Sequence, residues 1–108
     1  MTIKRKKPRN LRLLVQKDLE KKGWTVGVVE RQTGPVKRDL FGVADLLAFN
    51  KDEVQLVQVT TTEKRRSHEA TLMRWMIEGH GFRWIQHIQR FLVLALVDKD
   101  NQIEWVSF

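Results

Sequence analysis

Val43-Ala44-Asp45-Leu46-Leu47-Ala48-Phe49 and Val54-Gln55-Leu56-Val57-Gln58-Val59-Thr60 flank the polar run Asn50-Lys51-Asp52-Glu53. Both flanks are short and apolar and read as buried strands. The polar run suits a tight turn, so the pair predicts a hairpin. With Lys51 and Asp52 as a two-residue loop, the numbers of paired residues sum to 103, and Asp45 falls opposite Gln58. Side chains alternate across a strand, so this register predicts that Asp45, Gln58 and Thr60 share one face. Burying an acid, an amide oxygen and a hydroxyl without partners is costly. A hard divalent cation is one reason for them to converge.

Outward from the hairpin, the chain reads as a single domain. Residues 1–9 form a flexible basic arm, and residues 10–108 form the domain. Asn10 can cap a helix that starts at Leu11, in which Leu11, Leu14, Val15 and Leu19 keep helical spacing and Gly23 ends the run. Trp24 to Glu30 reads as a strand and Arg31 to Leu40 as a polar loop containing Gly34-Pro35. After the hairpin, Thr61 to Arg66 is a polar, basic connection. Ser67 can cap a second helix, with Ala70, Met73, Met76, Ile77 and His80 on one stripe and Gly79 and Gly81 at its end. Residues 82–90 are ambiguous between helix and strand. Phe91 to Val97 is a strongly apolar strand, Asp98 to Asn101 a turn, and Gln102 to Val106 a last strand. The order is helix, three strands, helix, two strands. The hairpins imply antiparallel neighbours and the strand–helix–strand crossover a parallel pair, which together give an α/β fold with a mixed sheet and helices on its faces.

The 108 residues allow one modest core, and no apolar run is long enough to span a bilayer. The basic N-terminus lacks the apolar stretch of a signal peptide, so an intracellular, cytoplasmic protein is expected. The chain has no cysteine, which excludes disulfides and thiolate metal sites. Lys and Arg number 20 against 13 acids, a net +7. The excess is clustered at Lys4, Arg5, Lys6, Lys7, Arg9 and Arg12, at Lys37 and Arg38, and at Lys64, Arg65 and Arg66. Clusters on both sides of the hairpin favour a polyanion partner, most simply nucleic acid, over a solvated basic surface.

The element order and the segments Arg38-Asp39-Leu40-Phe41-Gly42-Val43-Ala44-Asp45 and Leu56-Val57-Gln58-Val59-Thr60-Thr61 resemble the PD-(D/E)xK nuclease superfamily, with its restriction-endonuclease-like core. The likeness is to small phage and prophage members related to Holliday-junction resolvases and covers roughly residues 11–97. Asp45 matches the acid of the second family strand. Gln58 stands at the family's Glu and Thr60 at its Lys, while Glu30 fits an upstream acid that joins the site in such members. Resolvases of this type also carry a Glu in the first helix, where this chain reads Arg9-Asn10-Leu11-Arg12. The resemblance implies an endonuclease dependent on Mg²⁺ or Mn²⁺, selective for branched, junction or flap DNA, and acting as a homodimer. Its metal ligands would be Glu30, Asp45, the Gln58 amide oxygen and the Val59 carbonyl, all of them the oxygen donors that Mg²⁺ prefers. Asp45, Gln58 and Thr60 would be the catalytic set. Lys64, four residues beyond Thr60, is the natural substitute for the missing lysine; with Arg65 and Arg66 it also suits phosphate contact.

The competing expectation is a catalytically inert nuclease fold that binds DNA as a phage regulator or repair accessory, because Gln58 removes a negative ligand and Thr60 a cation. An RNA-binding or inhibitor module would rest on charge and size alone. Arg38 can bind phosphate or pair with Asp39. His68, His80 and His87 lack the spacing of a zinc-protease motif. Trp24, Trp75, Trp84 and Trp105 read mostly as core, with Trp84 beside Arg83 able to stack on an unpaired base.

Overall fold

The computed structural model describes residues 9–33, 35–78, 83–84 and 90–108, without the side chains of residues 32, 33, 36 and 37. Helix α1 spans Leu11–Lys21. It begins where the sequence places its cap, since the Asn10 side-chain oxygen accepts the Leu13 N–H at 3.0 Å. It ends before Gly23, whose φ of +95° is the left-handed conformation that lets the chain turn back. Strand β1 (Thr25–Val28) follows.

The stretch expected as a polar loop contains a hairpin instead, β2 (Arg31–Thr33) paired antiparallel with β3 (Val36–Arg38). Its strands carry mostly polar residues, so hydrophobic alternation could not reveal it. Strands β4 (Leu46–Phe49) and β5 (Val54–Thr61) form the hairpin on which the sequence reading rests. Leu46 pairs with Val57 and Phe49 with Val54, the register that sums to 103. Asn50 closes the turn, its side-chain oxygen accepting the N–H groups of Asp52 at 2.9 Å and Glu53 at 2.8 Å.

A short 3₁₀ turn (Thr62–Lys64) leads into helix α2 (Arg65–Ile77), and β6 (Arg90–Val97) and β7 (Ile103–Ser107) complete the sheet. Ser67 therefore lies inside α2 rather than capping it, and its hydroxyl donates to the Lys64 carbonyl at 3.0 Å. The main sheet has the order β1-β4-β5-β6-β7 and is mixed: β5 and β6 are parallel, the other neighbours antiparallel. Among the described residues the fold is α+β, with α1 and α2 on opposite faces of that sheet.

Alternation sorts the core into two layers. Leu46, Ala48, Val57, Val93, Ala95 and Val97 pack against Val15 and Leu19 of α1. Leu56, Leu92, Leu94 and Leu96 pack on the other face against Leu72 of α2. Strand β6 is buried on both faces from Leu92 to Val97, which is why it is a continuous apolar run. The expected stripe on α2 is displaced. Leu72 is its buried residue and Met76 is partly buried, whereas Met73 and Ile77 are 48% and 71% exposed. His80, Gly79, Gly81, His87 and most of the ambiguous 82–90 stretch lie outside the described residues, as does the basic arm of Lys4, Arg5, Lys6 and Lys7.

Candidate metal centre

Asp45 sits where β4 loses its regularity. Its N–H donates to the Val57 carbonyl of β5 at 2.9 Å, while its own carbonyl accepts the Val29 N–H at 3.0 Å. The residue thus bonds to both neighbouring strands at once, which a regular antiparallel residue does not do. Its side chain is freed from strict alternation, and Oδ2 accepts the Val59 N–H at 2.8 Å. The carboxylate occupies the place of a strand carbonyl beside β5, and the residue is only 5% exposed.

Glu30 reaches the same point from the end of β1, continuing the register that bonds Val29 to Asp45. A third acid arrives from the β3–β4 connection. Leu40 and Ala44 exchange two backbone hydrogen bonds, of 2.8 and 3.0 Å. Asp39 and Asp45 are the next residues outward from that pair, so the closure sets them side by side. Phe41 and Gly42 make the tight return possible with φ of +56° and +75°; Gly42 takes this conformation freely, Phe41 under strain.

One carboxylate oxygen each of Glu30, Asp39 and Asp45 lies within 4.8 Å of the other two. Oxygens on one Mg²⁺ at 2.0–2.1 Å stand about 2.9 Å apart when adjacent and about 4.1 Å when opposite. Side-chain movements of an ångström or so convert this cluster into a ligand set. Asp39 Oδ1 is buried and has no hydrogen-bond donor, which is the condition a cation relieves. The donor set is all oxygen, so it suits a hard cation rather than a soft metal. The Arg12 guanidinium lies 3.3 Å from Glu30 Oε2 and offsets part of the charge.

Neither a family model nor a curated protein matches the chain.

The remaining candidates fall into separate places. Gln58 is buried, but its amide oxygen lies 3.0 Å from His68 Nδ1 on the α2 side of the sheet. Asp45 instead lines an open cavity of about 460 Å³ with Val59, Glu30, Arg9, Asn10, Leu11 and Arg12 at the N-terminus of α1. The expected common face for Asp45, Gln58 and Thr60 therefore breaks at Asp45, because strand alternation ends there. Thr60 is 5% exposed within β5. Lys64 is exposed on the 3₁₀ turn, and its ammonium makes no ion pair or hydrogen bond among the described residues.

Arg65 is committed elsewhere: it bonds Glu69 Oε1 at 2.6 Å and Glu104 Oε2 at 2.9 Å. Those contacts, the Glu69 hydrogen bond first, raise its already high pKa. Arg9 is tied to the β6–β7 turn through the Asp98 carbonyl at 2.5 Å and Asn101 Oδ1 at 2.9 Å. Trp84 donates its indole N–H to the Phe91 carbonyl and carries the Arg90 guanidinium 5.0 Å from its ring centroid. Arg38 and Arg66 are exposed. Asp39 is the residue that sequence reasoning passed over as a ligand. Its only signal was its place beside Gly42 in a short segment leading to Asp45.

Proposed function

We propose that the protein is a metal-dependent endonuclease that hydrolyses DNA phosphodiesters. The observation that carries this reading is the convergence of Glu30, Asp39 and Asp45 within 4.8 Å, with a buried Asp39 oxygen lacking a donor. A divalent ion held there would supply charge neutralisation at the phosphate and a more acidic bound water. The chain's own residues do the positioning. The Val59 N–H fixes the Asp45 carboxylate, and the Leu40–Ala44 closure fixes Asp39 against it. Arg12 holds Glu30 and lines the cavity beside it. The His68–Gln58 contact ties β5 to α2 behind the site. The net charge of +7 suits a polyanionic substrate. Selectivity for branched, junction or flap DNA and action as a homodimer are part of the proposal, carried by the resemblance described above.

A second reading, an inert nuclease fold that binds DNA, is favoured by one specific observation. Thr60, which the resemblance sets at the family's lysine, is buried in β5, and Lys64 is not among the residues lining the cavity. The deciding experiment incubates pure protein with junction, flap and linear DNA in Mg²⁺, Mn²⁺ or EDTA. Cleavage in the metal arms and none in EDTA is expected. Binding without cleavage across the whole panel selects the inert reading.

A further inference from the structure

We infer that the β2–β3 hairpin is a phosphate-gripping arm, in which Arg31 and Arg38 together hold one backbone phosphate of DNA at the rim of the Glu30–Asp39–Asp45 cluster. The inference rests on the DNA-binding half of the proposed function and not on its chemistry. Arg31 and Arg38 are direct cross-strand partners at the open end of the hairpin. Both side chains are exposed, and neither makes an ion pair or hydrogen bond among the described residues.

Like charges placed directly opposite one another destabilise a strand pair. This hairpin has little with which to absorb that cost. It has three residue pairs and forms a two-stranded sheet of its own, and a lone two-stranded hairpin is marginal in water. An anion between the two guanidiniums reverses the sign of their interaction, and a planar guanidinium fork matches phosphate oxygens.

Position identifies which anion. Arg31 directly follows Glu30, and Arg38 directly precedes Asp39, so the pair stands one residue from two of the three clustered carboxylates. Those carboxylates alone repel a phosphate. The arginine pair supplies attraction at the same place without entering the ligand set. From residue 31 to residue 38 the sequence has three cations and no acid. An exposed arm of this kind encloses no small metabolite, and it suits a chain of phosphates that continues past it. Arg31, outside the basic clusters visible in the sequence, joins Arg38 only through the hairpin.

The test uses Arg31→Gln/Arg38→Gln and, separately, Arg31→Glu. Affinity for a short DNA duplex is measured in EDTA from 50 to 200 mM KCl, and melting temperature is measured with and without Mn²⁺. The double variant is expected to lose about 0.9 units of log–log salt slope, the value for one lost phosphate contact. Its metal-free melting temperature should hold or rise, and its Mn²⁺-induced shift should match wild type. Arg31→Glu should melt higher, because it places opposite charges across the hairpin, and yet bind DNA more weakly. An unchanged salt slope overturns the arm, as does a wild-type protein that does not bind DNA, or an Arg31→Glu variant that melts lower. A reduced slope with no cleavage by wild type sinks the nuclease chemistry and leaves the arm. Cleavage with an unchanged slope sinks the arm alone.

Discussion

Replacing Asp39 by Asn should make the metal-free protein more stable and the metal-loaded protein relatively less so. The asparagine keeps the size of the side chain and removes one charge from three. Each carboxylate pair lies within 4.8 Å, so its repulsion is about 0.9 kcal/mol at the dielectric constant of water and about 3.5 kcal/mol at an effective constant of 20. Asp39→Asn deletes two such pairs. It also deletes some attraction to Arg12, which lies beside Glu30. No hydrogen bond is lost at Oδ1, because that atom accepts none. The net gain in EDTA should be about 1–3 kcal/mol. At roughly 4–8 °C per kcal/mol for a domain near this size, the melting temperature rises by at least about 4 °C. In Mn²⁺ at a hundred times its dissociation constant, wild type gains about 2.7 kcal/mol. The variant, with one anionic ligand fewer, should gain much less. The assay is thermal unfolding of both proteins in EDTA and across a Mn²⁺ titration. A variant that is less stable than wild type in EDTA by more than about 1 kcal/mol would refute the reasoning, because Asp39 would then be paired structurally. An equal Mn²⁺ shift in both proteins would place the ion elsewhere.

Asp45→Asn keeps an oxygen for the Val59 N–H, so the fold should survive while cleavage of a branched substrate is abolished and DNA binding persists; equal cleavage by both proteins would place the active site elsewhere. Gly42→Ala forces an L side chain into φ of +75°, which should cost about 1–2 kcal/mol and weaken Mn²⁺ binding by disturbing the Asp39–Asp45 closure, read by chemical denaturation and metal titration. Leu94→Ala empties a fully buried position on the central strand β6 and should cost about 2–5 kcal/mol in urea unfolding with no change in the m-value.

The first helix was legible because Asn10, the Leu11–Leu19 spacing and Gly23 are local signals acting over one or two turns. The β4–β5 register was legible because a two-residue turn fixes pairing numbers, and Asp45 was marked by its charge inside an apolar run. Strand β6 declared itself by being apolar on both faces. The stripe on α2 was misread because helical spacing alone admits several faces; which one is buried depends on where the sheet lies, and contact with Leu92, Leu94 and Leu96 selected Leu72. The β2–β3 hairpin left no hydrophobic trace, since its residues pair through backbone bonds that almost any side chain allows. For the site, sequence by itself marked Asp45 as an acid set within an apolar hairpin, and only the resemblance brought Glu30 to it. Tertiary structure alone decided that Asp39, not Gln58, stands with them. Strand periodicity places a side chain only while the ladder is regular. At Asp45 the residue bonds to two strands at once, its carboxylate turns to the Val59 N–H, and the Leu40–Ala44 closure carries Asp39 to meet it.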